Sequence, residues 1–350
     1  MYREMAPNRL LRHAAIAALA AVATVGASAA QPQHTTITGA GATFPYPIYS
    51  HWFDEYAKRR PEVEFTYQSI GSGGGIRQLT EAFVFFGASD APMLEEELLA
   101  APGRIIHIPT VVGAVVPVYN VPGVPRELKF TGALLADMFL GRITNWNDPA
   151  IARVNEDIVL PPLEITPVFR ADSSGTSYVW SDFLSKVSPE WRRLVGANRL
   201  STVPHGLSVK GGSEGVSGAV TQTRGAIGYV ELTYAVRNGL AAGTVQNSEG
   251  EFVRASVASI RAAADAAVGR MPRDLRVSIT NAPGKGVYPA TSFTWLLLYE
   301  NADRRRSRLM VDFIKWALSD GQAMAPDLGY APLPPAIVSL AAEALAKIKT

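Results

Sequence analysis

The sequence predicts an α/β fold in two domains. Segments with strand periodicity alternate with segments of helical spacing, which is the signature of strands linked by helices with mostly parallel pairing. About 320 of the 350 residues follow a leader-like N-terminus, enough for two domains at roughly 100–200 residues each. Several strand-to-helix junctions are rich in Gly and hydroxyl residues, and ligands of such sheets bind in crevices at the carboxyl ends of strands.

The elements follow in order. Thr35–Thr38 is a short strand that runs into Gly39-Ala40-Gly41-Ala42-Thr43-Phe44. A helix begins at Pro45, with Ile48, Trp52, Phe53 and Tyr56 on one face, and proline is tolerated in a first turn. Val63, Phe65 and Tyr67 alternate with Glu64, Thr66 and Gln68 as a strand, which enters Gly71-Ser72-Gly73-Gly74-Gly75. The next helix turns Ile76, Leu79 and Phe83 inward, and Phe83–Ala88 is a buried strand ending at Ser89-Asp90. The β-branched run Ile105–Tyr119 is one long strand or a pair crossing the core. Gly132–Gly141 is helical. Ile165–Phe169 is a strand leading into Arg170-Ala171-Asp172-Ser173-Ser174-Gly175-Thr176-Ser177, and a helix with Val179, Trp180, Phe183 and Leu184 inward follows. Ala226–Val230 and Ser292–Tyr299 are strands; Arg308–Leu318 and Pro335–Lys349 are helices. Residues 247–285 show no clear periodicity, and there is no internal repeat.

Residues 1–30 carry Arg3, Arg9 and Arg12 against Glu4, then an Ala- and Val-rich run from Ala14 to about Gly26, then Ala27-Ser28-Ala29-Ala30. This is the three-part pattern of a secretory signal peptide, and its apolar run is shorter than the ~20 residues of a membrane span. The chain has no Cys, which excludes disulfides, thiol chemistry and a lipid-accepting cysteine. A freely diffusing protein in an enclosed compartment, a periplasm, is expected. Of 33 basic and 31 acidic residues, the leader holds three Arg and one Glu, which leaves 30 of each. A broad basic surface for nucleic acid is therefore excluded, and any anion must be held by local groups.

Three junctions place hydroxyl residues beside Gly or Ala where a helix begins: Thr43, Ser72, and Ser174-Gly175-Thr176. Helix starts offer unpaired N–H groups and the positive end of the dipole, and glycine lets the main chain approach a ligand. Together they form a candidate anion cage; simple N-capping is the alternative for each. Arg170 can give bidentate bonds to an oxyanion, held by Asp172, or can form an ordinary surface pair with it. Asp90 repels an anion unless the anion carries a proton. An ionised carboxylate accepts from protonated phosphate and rejects sulfate, which has nothing to donate. Its alternative role is to cap a helix over Glu95–Leu99.

The segments TGAGATFPYPIY, GSGGGIRQ, FGASDAPM, RADSSGTS and GAIGYVE resemble, in order and spacing, the signature segments of the phosphate-binding protein of the Pst transport system. The likeness extends through LGRITNWNDPAIARVN and DLGYAPLP. The resemblance implies a two-domain periplasmic-binding-protein clamshell, type II-like, with mixed sheets flanked by helices and a two-crossing hinge. It also implies that Thr43, Phe44 (through its N–H), Ser72, Asp90, Arg170, Ser174, Gly175 and Thr176 bind phosphate, with Asp172 orienting Arg170. No cofactor is implied. The implied partners are inorganic phosphate and the membrane subunits of a phosphate ABC permease, with no nucleic acid, and the protein acts as a monomer. Three departures from the family pattern stand out: Ser173 where Gly is common, Gly73 where Ser is common, and Phe85 in place of an acid.

Other chemistries find little support. Gly211-Gly212-Ser213-Glu214-Gly215 fits G-x-S-x-G, yet the preceding segment is weakly apolar, so it reads as a flexible loop rather than a nucleophile elbow. There is no P-loop or complete dinucleotide fingerprint. His34, His51, His107 and His205 are scattered, without metal-ligand spacing. A nonenzymatic binding protein is expected, with residues 34–115 and 293–350 in one domain and 116–292 in the other. The crossings lie near Ala114–Pro117 and Ser292–Trp295.

Overall fold

A computed structural model describes residues 34–350, except 125–126 and 204; the leader lies outside the described residues. Among the described residues no helix is long and apolar enough to cross a membrane.

The fold is the expected two-domain α/β arrangement, a curled mixed sheet flanked by helices. In chain order its strands are β1 (Thr35–Gly41), β2 (Val63–Ser69), β3 (Phe86–Ser89), β4 (Ile105–Tyr119), β5 (Lys129–Phe130), β6 (Thr166–Arg170), β7 (Leu207–Val209), β8 (Ala226–Glu231), β9 (Ala241–Ala242), β10 (Thr244–Gln246), β11 (Phe252–Val253) and β12 (Thr291–Tyr299). The first nine helices of the described residues are α1 (Tyr46–Arg59), α2 (Ser72–Thr80), α3 (Glu95–Ala100), α4 (Gly132–Phe139), α5 (Pro149–Val154), α6 (Gly175–Val187), α7 (Pro189–Leu194), α8 (Gly212–Gln222) and α9 (Leu232–Arg237).

The main sheet runs β2-β1-β3-β12-β4-β8-β6-β7, with β9 also on β4. Its outer pairs are parallel, as expected: β1 with β2 and β3, and β6 with β7 and β8. Its middle is not. β12 pairs antiparallel with β3 and β4, and β4 pairs antiparallel with β8. The expectation of mostly parallel pairing fails there because alternation along the sequence shows only neighbours in the chain, while β12 returns from far downstream to fill the centre.

β4 joins the two halves. It is one strand of 15 residues, all buried, β-branched enough to stay extended over that length. Up to Ala114, paired with Thr291, it lies against β12; from Val115, paired with Glu231, it lies against β8. One half of the molecule therefore holds β1, β2, β3 and β12, and the other holds β6, β7 and β8. Trp52 and Trp295 are fully buried in the first half, and Trp146 and Trp180 in the second.

Several local expectations are corrected. Phe83 does not face the core: it is 72% exposed. The helix stops at Thr80 and Ala82 adopts φ 60°, a left-handed turn that swings the next side chain outward before β3 begins at Phe86. The strand Thr35–Gly41 extends three residues into the glycine run, because main-chain pairing with Ser69 and Ala88 needs no side chain. The Gly211–Gly215 segment is not a flexible loop: Gly212 begins α8. The segment without clear periodicity contains a helix over Val257–Ala267, capped by Ser256. Asp90 caps nothing, since the N-cap of α3 is Leu94.

Candidate functional site

The three hydroxyl-bearing junctions, which follow β1, β2 and β6, meet in one place beside the carboxyl end of β3. Thr43, Ser72, Asp90, Arg170, Ser174 and Thr176 are all 2% exposed or less. Gly175 shows how closely the two halves approach: a Cβ there would lie 2.2 Å from Ser72 Oγ and 2.7 Å from Asp90 Oδ2. The start of α6 is therefore seated directly on the opposite wall, and only glycine fits.

Capping accounts for one junction alone. Ser174 Oγ accepts from Ser177 N–H at 3.1 Å and caps α6, and its own O–H remains a donor. α2 is entered from Gly71 and α1 from Pro45, each without a side-chain cap, so Ser72 and Thr43 are free of that role. Ser72 Oγ instead accepts from Asp90 N–H at 3.2 Å. The N–H groups of Phe44, Gly175 and Thr176 have no acceptor among the described residues, as first-turn and pre-helix amides are left by helix geometry. The Thr176 hydroxyl is buried without a partner. The Phe44 ring is fully buried, so the side chain packs and the main chain is what the site receives.

Arg170 ends β6. Nε and Nη2 donate to the two oxygens of Asp172 at 2.7 and 2.5 Å, a two-bond fork that fixes the guanidinium plane. Nη1 is aimed across the cleft, donating to Thr43 Oγ1 at 3.1 Å. Asp90 carries the other buried charge. Its Oδ1 accepts from Thr294 at 2.8 Å, while Oδ2 is buried without a partner. Burial pushes its carboxyl up to about 7, against the opposing effects of the Thr294 bond, the Arg170 charge and Ser72. That orphan oxygen beside Gly175 can accept a proton-bearing group brought by a ligand.

Sequence reasoning missed three contributors. Ser213, one residue into α8, shares a 2.9 Å bond with Thr43 Oγ1 and faces Arg170 Nη1 at 3.5 Å. Its Gly-Gly-Ser setting at a helix start was the same signal that marked the other junctions. Thr294 and Ser292, whose hydroxyl reaches the Asp90 carbonyl at 3.2 Å, sit in an otherwise apolar strand, and that contrast was the available clue. Of the histidines, His107 is buried and its Nε2 accepts from Met93 N–H at 3.2 Å. No group of three acidic or His side chains among the described residues could hold a metal.

Free amides and hydroxyls, one aimed guanidinium and one waiting acceptor, gathered where two α/β halves meet, have the chemistry of a binding protein for a small oxyanion. In keeping with that class, residues 26–321 match the PBP superfamily domain. Over 308 residues the chain is 42% identical to the phosphate-binding protein PstS of Pasteurella multocida, covering 87% of this chain and 88% of the relative. It is 42% identical over 317 residues to the PstS of Xylella fastidiosa, covering 90% and 86%. A solved phosphate ABC transporter substrate-binding protein from Clostridium perfringens, described as putative and holding phosphate, has the same fold, with a TM-score of 0.61 at 17% identity over 86% of this chain and 100% of that one. The chain belongs to the PstS family of phosphate-binding proteins.

Proposed function

We propose that this protein binds inorganic phosphate with high affinity in the periplasm and delivers it to a phosphate-specific ABC importer. The observation that carries the reading is the buried, unpartnered Oδ2 of Asp90 set against the free amides of α6 and across from Arg170. Only an anion that still carries a proton satisfies both an acceptor and a set of donors. The first relatives carry the phosphate-binding name, which supports the same ligand here.

In this reading Thr43, Ser72, Ser174 and Thr176 give hydroxyl bonds, Phe44, Gly175 and Thr176 give N–H bonds, and Arg170 gives the charged bond with Asp172 holding its plane. Asp90 takes the phosphate proton. A micromolar site requires about 8 kcal/mol net, which several charge-assisted bonds of roughly 1.5–3 kcal/mol each supply after ordering costs. Residues 34–115 with 293–350 act as one lobe and 116–292 as the other. The partner switch of β4 between Ala114 and Val115 supports a hinge there, and closure excludes water from the bonds. The protein acts as a monomer, exported by residues 1–30 without a lipid anchor, docks on the permease subunits when closed and catalyses no reaction.

Calorimetric titration of the phosphate-stripped chain from residue 31 onward tests this. One-to-one binding of phosphate at micromolar affinity or tighter, with no heat from sulfate, is expected. Equal binding of sulfate, or binding of neither ion, overturns it.

A further inference from the structure

Two tyrosine hydroxyls grip the turn that presents Phe44. Tyr234, on α9, donates to the Thr43 carbonyl at 2.6 Å. Tyr330 donates to the Phe44 carbonyl, also at 2.6 Å. Both side chains are buried. The two bonds look equivalent but act on different peptide units. The Thr43 carbonyl and the Phe44 N–H belong to one amide. The Phe44 carbonyl belongs to the amide of Pro45, which has no N–H.

The Thr43 carbonyl also accepts from Tyr46 N–H at 3.2 Å, so with Tyr234 both its lone pairs are engaged and the peptide plane is fixed. An amide whose oxygen accepts a short hydrogen bond is polarised, and its N–H becomes a stronger donor, the more so in a low-dielectric interior. Burial raises the Tyr234 hydroxyl well above the usual phenol range, so it remains a donor. Tyr234 follows β8 in one half, whereas Thr43 and Phe44 follow β1 in the other. Its bond goes to the main chain, which leaves the Thr43 hydroxyl to its own contacts.

The geometry points to Tyr234 as a positioning residue for anion capture: its hydroxyl, supplied by the opposite half, orients and polarises the peptide whose Phe44 N–H meets the ligand. This deepens the phosphate reading and rests on it.

The experiment compares Tyr234→Phe with Tyr330→Phe in the intact chain. Each removes one hydroxyl from the same turn. Phosphate affinity is measured by titration, and the Phe44 amide proton shift is followed by NMR with and without phosphate. Tyr234→Phe is expected to weaken phosphate binding about tenfold, the size of one hydrogen bond, and to move the Phe44 proton upfield. Tyr330→Phe is expected to lower thermal stability comparably while changing affinity less than about threefold and leaving the Phe44 proton in place. Wild-type affinity in Tyr234→Phe, or equal losses from both variants with an unmoved Phe44 proton, overturns the inference. Should Tyr234→Phe fail to fold, 3-fluorotyrosine at position 234 keeps the shape and strengthens the donor; the Phe44 proton must then move downfield, and a fixed position overturns the proposal. Absence of phosphate binding in the wild-type chain would instead overturn the function reading itself.

Discussion

The two walls of the cleft carry opposite buried charges, and they are finished to different degrees. On the β6 wall, Arg170 is 2% exposed and arrives neutralised by the fork to Asp172. On the β3 wall, Asp90 is 1% exposed and arrives with one oxygen bonded to Thr294 and the other to nothing. An unpartnered buried carboxylate oxygen costs the folded state, so the β3 wall retains a feature that stability alone does not favour. The difference separates two tasks. In the proposed reading, the satisfied cation attracts any oxyanion, while the unsatisfied acid decides which oxyanion is admitted.

The largest effect should come from breaking the finished wall. Arg170→Met is expected to weaken phosphate binding about a hundredfold or more, in the range of losing one partner of a buried charge pair at a binding site. Asp172 is 26% exposed and can rehydrate, so the melting temperature should fall far less than affinity does. Arg170→Lys sharpens the point. It keeps the charge and loses the planar fork, and titration should place it much nearer Met than wild type. A lysine variant with wild-type affinity would mean that charge alone matters on this wall.

Changing the unfinished wall should alter selectivity more than affinity. Asp90→Asn replaces a group that is acceptor-only when ionised with one that always can donate, so above about pH 7 sulfate should begin to compete with phosphate in displacement titrations. Undiminished discrimination would remove Asp90 from the account. Acidity gives a second handle. Because burial raises the folded pKa to about 7 above the unfolded value near 3.8, the folded state binds more protons between these values. Asp90 therefore makes the ligand-free protein progressively less stable as pH rises from about 4 to about 7, with no further change above. Below about 7 a growing fraction of Asp90 is a donor, so sulfate rejection should weaken as pH falls. Asp90→Asn should flatten both trends, and persistence of either would assign it to another group.

How far these walls were legible depends on where their partners lie in the chain. Asp172 was readable because it stands two residues from Arg170. Thr43, Ser72 and Ser174-Gly175-Thr176 were readable because three hydroxyl-bearing helix starts beside glycine or alanine recur in one chain, although capping is a use open to each. Thr294 was not, since it reaches Asp90 across 204 positions through a strand pairing that periodicity cannot register. Tyr234 and Tyr330 were hidden for the same reason: each contacts a carbonyl, and a main-chain acceptor leaves no mark on the sequence. The α/β class was visible from alternating strands and helices, while the antiparallel centre of the sheet depended on β12 returning from downstream.

The smallest expected effect lies where the two walls touch outside the cage. Gly73, where a serine is common in the family, and Ser173, where a glycine is common, read as separate departures in the sequence. The structure sets them face to face. Gly73 N–H donates to the Ser173 carbonyl at 2.8 Å, and a Cβ on Gly73 would lie 2.1 Å from Ser173 Oγ. The side chain missing from one wall is supplied by the other, so the pair behaves as one exchange. Gly73→Ser alone should force the walls apart and weaken phosphate binding about fivefold, whereas Ser173→Gly alone should change it little. The double variant should return to near wild-type affinity, a coupling of about 1 kcal/mol in a double-mutant cycle, within the range for residues in contact. Additive single effects would mean that the walls do not meet at this point when phosphate is held, and the contact would then carry no part of closure.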